Sequence, residues 1–175
     1  MKGNTLLQKS IITLASICFA SVAAAGTTVP SKAMRGFASH CFSPFLTADK
    51  AAARLGIDGV RWEFYDLDPF SSVAPSPVDG RAATDGTDRR CEVAFDGDHA
   101  VQAAKTAVDA LTEQGIVTPA ALPSFFQSTT GTEVLSARQL NPRRIAVVHV
   151  GTREGSNGIE TFMTVERLLP SELKD

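Results

Sequence analysis

Apolar and polar positions alternate over two stretches of this chain. In GVRWEFYDLD, Val60, Trp62 and Phe64 alternate with Arg61, Glu63 and Tyr65. In RRCEVAFDG, Cys91, Val93 and Phe95 alternate with Glu92 and Ala94. A period of two places every second side chain on one face, so each stretch predicts a strand with one buried face, and Cys91 should point inward. Two further runs, RRIAVVHVG and IETFMTVERLL, flank the turn-forming TREGSNG and predict an antiparallel hairpin. Residues 132–140 add a shorter strand.

The period changes elsewhere. In TADKAAARLG, Thr47 is placed to cap a helix whose Ala48, Ala51, Ala52 and Leu55 share a face, with Gly56 ending it. In DHAVQAAKTAVDALTEQG, Asp98 is placed as the cap. Val101, Ala104, Val108 and Leu111 form an apolar stripe widened by Ala100 and Ala107, and Gly115 follows at the C-terminal end. The elements predict an α+β domain: a mainly antiparallel sheet of about four or five strands with two helices packed on one face.

The connections differ in character. Residues 26–36 are small and polar around Pro30 and read as a flexible start. The loop at 69–88 is rich in Pro, Ser, Gly and Asp and reads as a long, exposed and mobile connection. Residues 117–142 hold three prolines, with a short helix expected near Ala120–Gln127. Phe125 and Phe126 are expected to plug one edge of the core.

Residues 1–25 have the pattern of a secretory signal: Lys2 and Lys9, an apolar run from Ile11 to Ala20, and the small residues Ala23-Ala24-Ala25. Cleavage near Ala25 would remove Cys18 and leave one domain, residues 37–175 behind the 26–36 segment, in the periplasm or the medium. No later apolar run reaches the ~20 residues of a membrane span. The net charge of −2 becomes more negative without Lys2 and Lys9. Such a balance disfavours nucleic acid as a partner, because that needs a basic face. The doublets Arg89-Arg90 and Arg143-Arg144 are expected to flank strands.

The remaining cysteines, Cys41 and Cys91, permit one pairing. In an oxidising compartment they are expected to form a disulfide. Metal ligation by His40, Cys41, Cys91 and a further histidine is the less economical reading, because His99 and His149 lie on other elements. A thiol nucleophile at Cys41 with His40 or His149 as base is another alternative. No G-x-S-x-G elbow, phosphate loop or dinucleotide fingerprint occurs, so no catalytic residue, metal or cofactor is assigned. Asp66/Asp68 and Glu160/Glu166 are expected to follow strand alternation and solvent. Trp62, Tyr65, Phe125 and Phe126 are core residues or, alternatively, line a groove.

The aromatic-x-x-x-cysteine stretch Phe37-Ala38-Ser39-His40-Cys41, the short helix ending at glycine, and RRCEVAFDGDHAVQAA together resemble small uncharacterised secreted proteins of proteobacteria. The resemblance implies an exported α+β domain and no activity. The expectation is a non-enzymatic periplasmic binding or accessory protein with a protein, peptide or small-molecule partner. A small envelope hydrolase or thiol enzyme at Cys41 is the alternative.

Overall fold

Among the described residues five antiparallel strands form one sheet, and the helices cover one of its faces. In a computed structural model, which describes residues 28–70, 73–78 and 86–168, the elements are α1 (Val29–Gly36), a π-helical turn (Phe37–Cys41), α2 (Ala48–Leu55), β1 (Val60–Asp66), β2 (Thr87–Asp96), α3 (Ala100–Glu113), β3 (Thr132–Asn141), β4 (Arg144–Gly155) and β5 (Gly158–Leu168). The strand order is β1-β2-β5-β4-β3. The signal-like segment and Cys18 lie outside the described residues. Among the described residues no helix is long and apolar enough to cross a membrane.

Register sorts the side chains. Phe64, Cys91, Val165 and Val148 lie in one row across β1, β2, β5 and β4, and Trp62, Val93, Met163 and Val150 lie in the next of the same parity. This face meets the helices and carries the main core, where Phe37, Leu55, Phe95 and Leu111 are fully buried. On the opposite face Ala137, Ile145, Val147 and Leu168 form a smaller cluster against Phe125 and Phe126.

Several local expectations change. The start is helical from Val29, because Pro30 suits a first helical turn and Ala33, Met34, Phe37 and Cys41 make one buried stripe running into the π-helical turn. In α3 the buried side chains are Ala100, Ala103, Ala104, Ala107, Ala110 and Leu111, whereas Val101 is 87% exposed and Val108 is also exposed. The sheet supplies the bulk through Phe95, Val150 and Met163, so the helix approaches on its alanines rather than its valines. No helix forms at 120–127. Thr118 and Ala120 instead hydrogen-bond to Gln139 and Ala137 along β3, and Pro119 and Pro123 have no N–H for a helical ladder.

In the 69–88 connection, residues 71–72 and 79–85 lie outside the described residues. Ser76 is tied down rather than loose: it exchanges two backbone hydrogen bonds with Asp66 (3.0 and 2.8 Å), and its hydroxyl accepts from Ala48 N at 3.3 Å.

Gly131 and Gly151 let β3 start against β4. Gly131 has φ +85°, its carbonyl accepts from Thr152 N at 3.2 Å, and a Cβ on either glycine would collide with the facing backbone. Gly131→Ala therefore combines backbone strain with a clash that no rotamer relieves. The expected cost is about 2–4 kcal/mol, read as a lower denaturation midpoint at unchanged m-value. A loss below ~0.5 kcal/mol would contradict the close approach.

Candidate functional site

Antiparallel order brings the ends of all five strands that lie near Asp66, Thr87, Asn141, Arg144 and Leu168 to one end of the sheet. Among the described residues four arginines and three aspartates lie there. Arg167 binds Asp66 through Nη2 at 2.8 Å and Asp88 through Nε at 2.6 Å. Arg144 binds the other Asp88 oxygen and Asp68, each at 2.5 Å. Arg89 is turned inward. It donates to Ser43 O at 2.5 Å, lies over the Phe64 ring at 5.3 Å, and stands 3.5 Å from Asp66.

Burial dominates the electrostatics of the inner members. It lifts the Asp66 carboxyl above its ordinary range, opposed only in part by Arg167 and Arg89. It also brings the Arg89 guanidinium down to about 10, against the pull of Asp66. The outer members line an open groove of about 590 Å³ between residues 68–70 and the β3–β4 turn. Phe70 stands in its wall 59% exposed, edge-on to the exposed Phe45 at 6.0 Å. Arg143 is exposed on the turn, and among the described residues no carboxylate lies within 4 Å of it.

Cys41 and Cys91 form a disulfide, with S–S 1.99 Å and Cα–Cα 5.5 Å, and both are buried on the helix side. His149 belongs to the row of Glu92 and Thr164 on the opposite face, so it does not meet Cys41. The four aromatic residues do not form one groove. Trp62 packs into the helix-side core, and Tyr65 is buried on the opposite parity. Phe125 and Phe126 cover the small cluster of that second face. Among the described residues no group of three His, Cys, Asp or Glu is placed to hold a metal ion.

The second face also holds a layer that alternation alone mis-assigns. Glu160 and Glu166, expected at solvent, are buried. His149 Nε2 lies 3.8 Å from Glu166. Arg90 joins Glu166 (3.1 Å) to Glu92 (2.7 Å), and Arg153 joins Glu92 (2.8 Å) to Glu160 (2.7 Å). Arg61 joins Glu160 to Asp96, both at 2.7 Å. Thr129 N donates to His149 Nδ1 at 3.4 Å. Burial would lower the Arg153 guanidinium, yet Glu92 and Glu160 hold it above its ordinary value. The signal lay in charges of opposite sign at same-parity positions on different strands. Strand order was needed to pair them.

His40 stands on the helix side near Lys50 and Arg54. Partial burial, reinforced by the Arg54 charge, holds its imidazole below the ordinary 6.5. The unfolded chain therefore takes the proton more readily, and this residue's contribution to folding is lost as pH falls through the depressed value. Arg54→Gln should raise the His40 midpoint part-way toward 6.5 in an NMR titration. An unchanged midpoint would remove Arg54 as a cause.

No protein-family model matches the chain, and neither a curated protein nor a solved structure matches it significantly.

Proposed function

We propose that this chain is an exported, non-enzymatic binding or accessory protein of the periplasm or the medium, stapled by Cys41–Cys91, with the groove beside Phe70 and Arg143 as its binding place. The buried disulfide carries the reading. A structural bridge between two buried sulfurs suits an oxidising compartment, and the signal-like residues 1–25 supply the route. A buried Cys41 held in a bridge has no free thiol to act as nucleophile, which counts against the thiol-enzyme alternative. The groove has the volume of a small-molecule or peptide subsite and offers an aromatic wall beside charge.

Intact mass of the full chain, expressed with its leader in a bacterial host and recovered from the periplasm and medium, tests this. Free thiols are blocked before and after reduction. The expected result is cleavage near Ala25 and two thiols that are blocked only after reduction. Uncleaved chain confined to the cytoplasm, or two thiols blocked at once, would overturn the reading.

A further inference from the structure

We infer that the groove at the Arg143 end of the sheet binds a small organic anion, a carboxylate carried on a flat apolar body. This rests on the binding role proposed above and names its ligand class. Charge comes first. Among the described residues three guanidiniums, Arg89, Arg144 and Arg167, meet three carboxylates, Asp66, Asp68 and Asp88, and a fourth, Arg143, has no carboxylate within 4 Å. Asp66 and Asp88 are each shared between two arginines. Among the described residues of this end the cation without a carboxylate partner is Arg143, and it stands at the rim of the groove, where a ligand can reach it. Asp68 faces the same groove, but Arg144 neutralises it at 2.5 Å. A guanidinium presents its donors as a planar fork that matches a carboxylate.

Shape comes second. Pro69, Phe70 and Pro142 give the groove flat apolar walls, and Phe70 and Phe45 are large aromatics left in solvent side by side. Paired exposed aromatics beside an uncompensated cation fit a ligand with both an apolar ring and a negative charge. The volume of about 590 Å³ suits a molecule of that size.

The test uses the oxidised, isotope-labelled chain and two probes with the same body, N-acetylphenylalanine and its uncharged amide. The acid should produce saturable amide shifts at residues 68–70 and 141–144, weakening as salt is raised. The amide should bind about fivefold more weakly, the size of one exposed ion pair. Arg143→Gln should weaken the acid about fivefold and leave the amide unchanged. Phe70→Ala should weaken both. Both positions are exposed, and a wild-type-like spectrum confirms the fold of each variant. Equal binding of acid and amide would overturn the anion inference and leave the groove as a binding place. No saturable shift at these residues with either probe would overturn both.

Discussion

Removing the disulfide should cost about 4 kcal/mol. The bridge spans a sequence separation of 50, and the chain-entropy relation assigns a loop of that length roughly this much restriction of the unfolded state. That is a large share of the ~5–15 kcal/mol by which domains are stable. The double variant Cys41→Ala/Cys91→Ala avoids stranding a single thiol. Its urea midpoint should fall together with that of the reduced wild-type protein. The native consequence should be local, because Cys41 closes the π-helical turn and Cys91 sits in mid-β2, under the helices. An eight-residue helix such as α1 is marginal alone. Its amides should therefore lose hydrogen-exchange protection before those of β2, β5 or β4. A loss below ~1 kcal/mol, or protection lost uniformly, would mean that packing rather than the bridge holds α1 on the sheet.

Strands and the main helices were legible because each has its own period. Val60-Trp62-Phe64 and Cys91-Val93-Phe95 announce a buried face locally, and the pairing of Cys41 with Cys91 was the one left once Cys18 was set aside with the signal-like segment. The order β1-β2-β5-β4-β3 was not legible, because periodicity says nothing about which distant strand is the neighbour. The groove depended on that order: Asp68 and Phe70 follow β1, Arg143 precedes β4, and Arg167 ends β5. Read singly, each was a charge or a ring beside a strand. The helical start was missed because Pro30 and Ser31 look like loop residues, although proline is favourable in a first turn. The buried face of α3 was misplaced because hydrophobicity ranks valine above alanine, while close approach to a bulky sheet favours alanine. Polar positions in β2 and β5 were assigned to solvent, a rule that fails when they find partners across the sheet.

The largest effect of that failed rule is expected at Glu92, which is 2% exposed. Its Oε1 takes Arg153 Nη2 at 2.8 Å, and its Oε2 takes Arg90 Nη2 at 2.7 Å and the Thr164 hydroxyl at 2.9 Å. Glu92→Ala removes the carboxylate shared by two guanidiniums and leaves their charge inside the protein. Breaking a buried pair in this way costs about 3–5 kcal/mol, because the stranded charge has lost water without keeping its partner. Arg90 retains Glu166 and Arg153 retains Glu160, which places the expectation at the lower end of that range. The exposed pair Lys105–Asp109 is the comparison. It is as short, at 2.5 Å, but its side chains are 75% and 52% exposed, and Lys105→Ala should cost only about 0.3–0.5 kcal/mol. Burial rather than distance then sets the scale. Adding Arg153→Met to Glu92→Ala should recover part of the loss, since one of the two stranded charges is gone. If both single variants cost the same small amount in urea unfolding, water reaches the layer and the second face is not a dry ionic lattice. If Glu92→Ala is severe and Arg153→Met relieves it, the face is held by mutual neutralisation, and each charge is required because the others are there.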